Sequence, residues 1–499
     1  MRTSGVLLPI SSIPSNYGMG CFSKEAYEIV DQLKEGGQSY WQILPLGPTG
    51  YGDSPYQSFS TFGGNPYLID LEALIRKGLL TKAECEACDW GGSESYVDYE
   101  KQYLSRFSLL KKAFSRSQPE KDKAFLAFVQ EESFWLEDYC LYMAIKDSLG
   151  GISWELWPRE LRNREPEALR EAAERLSQEV SFYRFQQYWF YTQWRALKAY
   201  ANEKGIQIIG DLPIYVAFDS ADAWADPRLF QFDEDNRPRA VAGCPPDAFS
   251  ATGQLWGNPL YDWEYHRRTG YDWWIRRMSH CMRLYDMVRV DHFRGFDEYY
   301  AIPYGNPTAE HGTWEKGPGL ELFQVLGKNV QPLRVIAEDL GFLTEGVLSM
   351  LRESGFPGMK VLQFAFDESE NSDYLPHKYQ RNCVVYTGTH DNETTKGWYQ
   401  GLSGHDGAFA REYTGCEGLE LDACVWGMIR AAMSSVADLA VIPIQDYLCL
   451  GGEARMNTPS TLGDNWKWRL KKGQISKEVL EKMRRMTKLY GRIQEQNRP

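Results

Sequence analysis

"MVRVDHFRGF", residues 287–296, is the stretch on which the fold turns. Met287, Val288 and Val290 suit the interior of a sheet, yet Asp291, His292 and Arg294 follow within four positions. A buried strand that ends in charge makes sense where several strands end together at one face. The chain holds seven further runs of this kind: "SGVLLP" (4–9), "SYWQILPL" (39–46), "IQIIGDLPIYV" (206–216), "LRVIAEDL" (333–340), "MKVLQFAF" (359–366), "CVVYTGTHDN" (383–392) and "LAVIPIQDYL" (439–448). None alternates cleanly with a period of two, as expected of parallel strands covered on both faces. Helix-like stretches precede several of them, such as "SKEAYEIVDQLKEGG" (23–37) and "TEGVLSMLRESG" (344–355). Eight strands with helices between them predict an α/β fold, a (β/α)8 TIM barrel. A doubly wound open sheet is the competing layout, but no G-x-G-x-x-G or P-loop accompanies the first strand to favour it.

Roughly 160 residues separate the second and third runs, far more than one βα unit needs. The spacing therefore predicts one catalytic barrel over 1–499 with two insertions. Residues 72–200 read as a mostly helical insertion after the second strand. Residues 217–286 read as a loop-rich and helical insertion after the third. Near the end, "SKEVLEKMRRMTKLYGRIQ" (476–494) predicts a helix capped by Ser476, with Glu478 complementing its dipole.

Composition narrows the class of function. At 499 residues the chain can bury a large core, and 68 Asp and Glu against 55 Lys and Arg leave a net charge of −13. Such a field repels nucleic-acid backbones and anionic membranes, so the expected partner is small or neutral. No apolar stretch reaches the roughly 18 residues of a membrane span. The N-terminus lacks a signal-like apolar region. Ten scattered cysteines read as reduced thiols, and Cys85 and Cys88 form the one C-x-x-C, with no second pair at zinc spacing. A cytoplasmic protein is the expectation. Aromatic content is 14%, with 17 Trp and 30 Tyr, which suits ligands that carry apolar faces and polar rims, as sugars do.

Acids recur where the strands end: Asp211, Asp291, Glu338 with Asp339, Asp367, Asp391 beside His390, and Asp446. In a barrel of this type the strand C-termini form the site. Carboxylates repel one another at close range, so a cluster of them points to chemistry or to a metal. His292 and His390 keep a metal-dependent barrel open, although neither stands in a recognisable ligand spacing. Glycoside chemistry needs no metal or cofactor. It needs an ionised nucleophile and a protonated acid, which neighbouring strand tips can supply. Asp291 and Glu338 are the natural pair. Arg289, two residues before Asp291, faces the same way and would keep it ionised, while the charge of Asp291 would raise the pKa of Glu338. Glu338 and Asp339 point to opposite faces, and parity alone does not say which one faces the site. For Asp446, a structural helix-end or surface role is the preferred reading.

"GDLPIYV" (210–216), "RVDHFRGF" (289–296), "AEDLG" (337–341) and "TGTHDNETTKGW" (387–398), in this order, resemble the 4-α-glucanotransferases called amylomaltase or disproportionating enzyme, glycoside hydrolase family 77 of the α-amylase clan. "LPLGPTGYGDSPYQSFSTFGGNPYLIDL" (44–71), "GQLWGNPLYDW" (253–263) and "ARMNTPSTLGDNWKWR" (454–469) extend the resemblance over essentially the whole chain. It implies Asp291 as nucleophile, Glu338 as acid/base and Asp391 as a third carboxylate that holds sugar hydroxyls. It further implies Tyr51, Tyr56, Asp211, Phe249, Trp256, Arg289, His292, Asp367, His390 and Asn457 as substrate contacts. The implied substrates are α-1,4-glucans (maltooligosaccharides, amylose and glycogen-derived dextrins), with glucose as acceptor. Ser460 and Asp464 stand where the family pattern commonly has small residues. An α-glucan hydrolase of the same clan and a non-catalytic glucan-binding protein are the rival readings.

Overall fold

All eight runs become strands of one closed parallel barrel. In chain order the structure has β1 (Thr3–Leu7), β2 (Tyr40–Gln42), β3 (Gln207–Leu212), β4 (Ala240–Cys244), β5 (Gln254–Pro259), β6 (Met287–Val290), β7 (Glu298–Pro303), β8 (Thr313–Lys316), β9 (Val335–Ala337), β10 (Gly358–Val361), β11 (Cys383–Tyr386) and β12 (Leu439–Pro443). The barrel runs β1-β12-β11-β10-β9-β6-β3-β2 and closes on itself, every neighbouring pair parallel. The doubly wound alternative is thereby excluded. This computed structural model describes residues 2–50, 52–246, 250–341, 343–367, 369–402 and 404–493.

Side chains alternate between two cores. Leu7, Ile209, Ile336, Met359, Val361, Val384, Tyr386 and Val441 pack together inside the barrel. Their strand neighbours, among them Val6, Ile208, Val288, Val290, Val335, Ala337 and Ile442, belong to the outer core beneath the helices. Covering both faces explains why the runs read as nearly continuous apolar stretches. The helix Lys24–Glu35 shows how that cover forms: Ala26, Ile29, Val30 and Leu33 are buried at the spacing of one helical face. Each of the larger three contributes on the order of 1.5–3 kcal/mol on burial. The last helix, Lys477–Leu489, packs against it, and Ser476 caps it by accepting from the Val479 N–H.

Between β2 and β3 lies a chain of helices from Leu71–Arg76 to Ser177–Glu203. Polar caps start several of them: Asp70, Thr81 with Glu84, Asp98 and Asp122. The 27-residue helix Ser177–Glu203 belongs to two bodies. It packs on Ser133–Ser148 within the helical segment and also on β3 and Lys24–Glu35 of the barrel. The segment read as 72–200 therefore shares a helix with the barrel that it interrupts.

One feature was absent from the sequence reading. β5, β4, β7 and β8 form a separate antiparallel sheet, its strands supplied by the loops after β3 and after β6. The 217–286 segment thus carries strands as well as loops and helices. Its strand β4 is "AVAGC", small residues without β-branched bulk or alternation apart from Val241, and β5 is "QLWGNP", which Gly and Pro make look like a loop.

Candidate active site

The barrel register builds the site. Asp211 on β3 pairs directly with Arg289 on β6, and the next rungs of β6 and β9 match Arg289 with Ile336 and Val290 with Ala337. Hydrogen bonds carry these ladders one residue past the strand ends: Asp291 N–H donates to the Leu212 carbonyl at 3.0 Å, and Glu338 N–H to the Val290 carbonyl at 3.1 Å. Asp291 and Glu338 consequently stand side by side at the mouth. Because Ile336 points inward, Glu338 does too, two residues later. Asp339 turns outward, where it is buried and accepts from the Met359 N–H at 2.6 Å. A side chain at Gly358 would put its Cβ 2.4 Å from the Asp339 carboxylate, so Asp339 is part of the packing between β9 and β10.

Arg289 organises the acids. Its Nη1 donates to both oxygens of Asp211, at 2.8 and 2.7 Å. Its Nη2 lies 3.1 Å from Asp291 Oδ1 and 3.2 Å from Glu338 Oε2. The guanidinium side chain is 1% exposed and that of Asp211 is 0% exposed. Burial alone works against the charge of Arg289, but Asp211, Glu338 and Asp291 together hold its pKa well above the usual value. Asp211 also accepts from the Tyr56 hydroxyl at 2.8 Å, and the same hydroxyl is 2.8 Å from His390 Nε2. With the tyrosine proton on Asp211, His390 donates through Nε2. The Tyr56 and His390 rings stack at 5.3 Å, and Trp466 packs on both.

His292 adopts a left-handed backbone, φ 48 and ψ 49, unusual for a residue with a side chain. The turn presents its backbone N–H to Glu338 Oε2 at 2.5 Å. Its ring meets the edge of Trp256, from β5 of the antiparallel sheet, at 4.8 Å. Burial lowers the His292 pKa to about 4, so the ring is neutral at physiological pH. Asp391, just past β11, accepts from Asn457 Nδ2 at 2.6 Å and lies 3.3 Å from His390 Nε2. Burial would raise its pKa, but His390 and Asn457 hold the carboxyl well below the usual range. It stays ionised.

For the Asp291–Glu338 pair the charge pattern differs from that predicted. Burial and the neighbouring Glu338 raise the pKa of Asp291. Glu338 resists the same burial, because Arg289 and the His292 N–H lower its pKa. Arg289 serves the two acids almost equally, so the extra backbone donor decides, and sequence spacing gave no sign of it. The two carboxyls stand side by side and oppose each other's charge, and Arg289 with the His292 N–H favours the ionised form of Glu338.

Most of the expected residues converge here: Asp291, Glu338, Asp391, Tyr56, Asp211, Arg289, His292, His390, Asn457 and Trp256. Asp211, Arg289 and His390, expected as sugar contacts, have side chains at most 2% exposed and act chiefly on other side chains. Asp367 does not join the network. The sixth strand ends at Val361, not at the predicted Phe366, and a 3-10 turn over Leu362–Phe364 follows. Asp367 lies exposed beyond it and accepts from Ser369 in a local turn. Asp446 is buried and accepts from Thr387 and Thr395, a structural role. Tyr51 and Phe249 lie outside the described residues. Two residues were missed. Arg455 fixes the Asp391 loop by donating to the Asp391 carbonyl at 3.0 Å and to the Asn457 carbonyl at 2.8 Å, and Trp466 packs on Tyr56 and His390. Both belong to "ARMNTPSTLGDNWKWR", a stretch whose resemblance was noted but whose individual contacts no spacing rule exposes. Among the described residues, no three His, Cys, Asp or Glu side chains are placed to hold a metal ion, and no helix is long and apolar enough to cross a membrane.

Comparison with known proteins agrees with this geometry. The family described as 4-alpha-glucanotransferase, glycoside hydrolase family 77, matches residues 8–476. The chain is 46% identical over 486 residues to the 4-alpha-glucanotransferase of Clostridium butyricum, covering 97% of this chain and 100% of that one. It is 48% identical over 501 residues to that of Thermus thermophilus, covering 99% of each. Among solved structures it resembles an amylomaltase from Streptococcus agalactiae in complex with acarbose, with a TM-score of 0.96 and 40% identity over 99% of this chain and 100% of that one. With a family match across most of its length and relatives of this closeness end to end, the chain belongs to the 4-alpha-glucanotransferase family, glycoside hydrolase family 77, and is a glycosyl-transferring enzyme.

Proposed function

We propose that the protein moves segments of α-1,4-glucan from a donor chain to the 4-hydroxyl of an acceptor glucose or glucan, through a covalent glycosyl ester on Asp291. The observation that carries this is the single nitrogen, Arg289 Nη2, bound to both Asp291 and Glu338. Two oxygens on one nitrogen at those distances lie no more than roughly 6 Å apart, which suits a retaining pair and falls short of the roughly 6.5–9.5 Å of inverting ones.

The Asp291 carboxylate attacks the anomeric carbon of the donor. The glycosidic C–O bond breaks, and its oxygen takes the proton of Glu338 as the cleaved chain leaves. The acceptor 4-hydroxyl then gives its proton to the Glu338 carboxylate while its oxygen displaces Asp291 from the same carbon. Two inversions restore the α configuration. Asp391, ionised and held by Asn457 and His390, is placed to accept sugar hydroxyls and to favour the positive charge that develops on the ring. Arg289, anchored by Asp211, holds the nucleophile and the acid together. The first step needs Glu338 protonated and Asp291 ionised when the donor is bound.

Substrates are α-1,4-glucans such as maltooligosaccharides, amylose and glycogen-derived dextrins, with glucose as the smallest acceptor. A similar amylomaltase described in complex with acarbose supports an oligosaccharide ligand. Tyr51, Trp256, Phe249 and Asp367 complete the glucan contacts in this proposal. Incubation of the purified protein with maltotriose tests it. Transfer gives longer and shorter maltooligosaccharides, glucose among them, at a constant number of reducing ends. A steady rise in reducing ends would instead identify a hydrolase, and no turnover would identify a binding protein.

A further inference from the structure

Away from the acid cluster, the helical segment meets the barrel along a second cleft of about 340 Å³, open to solvent. Phe134 and Tyr139 of the helix Ser133–Ser148 line it on one side, and Tyr265 and Trp273 from the helices before β6 on the other. Phe134 is 39% exposed, so an aromatic face is available to a ligand.

The charges of this cleft largely cancel. Asp138 pairs with Arg164 at 2.6 Å, Asp226 with Arg228 at 2.7 Å, and Asp272 with Arg276. Asp222 is the exception. It is 7% exposed, accepts from the Thr61 N–H at 2.7 Å and, among the described residues, has no cation within ion-pair distance. Burial pushes its carboxyl up to about 6. The Tyr139 hydroxyl is buried with no hydrogen-bond partner among the described residues. Buried polar groups with open hydrogen-bonding capacity call for an explanation.

A ligand that fits is neutral, because a fixed anion would meet four aspartates and a cation would compete with three paired arginines. It has apolar faces for the aromatic rings and hydroxyls for the carboxylates of the cleft, Asp222 among them. We infer that this cleft is a second, non-catalytic binding site for an α-1,4-linked glucose chain. The inference rests on the glucan reading of the barrel mouth. The two sites also share a loop, with Tyr56 at the acid cluster and Thr61, bonded to Asp222 and to Arg277 at 2.7 Å, beside the cleft.

The full-length Asp291→Asn variant, titrated with maltoheptaose in a calorimeter, tests it. Two binding events per chain are expected. Adding Phe134→Ala, or separately Trp273→Ala, should weaken one of them on the order of tenfold and leave the other unchanged. In the otherwise wild-type chain, both cleft substitutions should leave maltotriose disproportionation unaltered, which also reports that the variants fold. A single binding event in Asp291→Asn, or two events indifferent to both cleft substitutions, overturns the second site while the transfer assay still upholds the first. Failure of the wild-type chain to turn over maltotriose would instead remove the glucan reading on which the inference stands.

Discussion

Arg289 illustrates how one residue sets the chemistry of a cluster. It is buried against three carboxylates, and removing it leaves those charges uncompensated. Arg289→Ala should destabilise the fold by about 3–5 kcal/mol, seen as a large fall in thermal midpoint, and Asp211→Asn should restore part of the loss. Asp291 and Asp391 make opposite predictions about pH. The pKa of Asp391 is depressed in the fold, so its contribution to stability is present above the ordinary carboxylate range and lost as pH falls through the depressed value. Asp391→Asn should therefore melt earlier than the wild type at pH 7, with the gap closing in acid. The pKa of Asp291 is raised, so its favourable term is present below the ordinary range and lost as pH rises through the raised value. Asp291→Asn should melt later than the wild type at neutral pH and lose that advantage in acid, while its turnover falls by about 10⁴-fold or more. Thermal melts across pH decide both. The identity of these acids was legible because each stands at the end of an apolar run. The donor that favours the charge of Glu338 was not, because it is a backbone N–H freed by the left-handed turn at His292.

At the scale of elements, what was legible followed periodicity and capping. The eight barrel runs carry enough consecutive β-branched and apolar residues to announce buried strands, and Ser476 marks the start of the last predicted helix. The antiparallel sheet went unseen because its strands are short, rich in Gly, Ala and Pro, and paired across separate loops. That sheet delivers Trp256 to the edge of His292, beside Glu338. If Trp256 keeps water from the acid/base, Trp256→Ala should increase the share of donor lost to hydrolysis by several-fold. The ratio of reducing ends formed to maltotriose consumed measures it. An unchanged ratio would assign the exclusion of water elsewhere.

At the scale of the whole molecule, closure of the barrel depends on residues far from the site. Arg492 is fully buried and donates to the carbonyls of Thr3, Met433, Ala437 and Ser435, tying the end of the chain to β1 and to the segment before β12. Arg492→Met leaves those carbonyls without their donor and should cost about 3 kcal/mol or more, with maltotriose kinetics changed by less than about twofold. No motif marks this residue, because its partners are backbone atoms brought together only by the closed topology. The central claim joins the three scales: a register that places two acids side by side, a guanidinium that holds them, and a barrel that presents them to one sugar linkage. Its most direct test is to incubate Glu338→Gln with α-maltosyl fluoride, whose leaving group needs no acid, and to map the covalent product by mass spectrometry. A maltosyl group on the peptide that contains Asp291 is the predicted result; an adduct on another residue, or release of the β-anomer with no adduct, would contradict it.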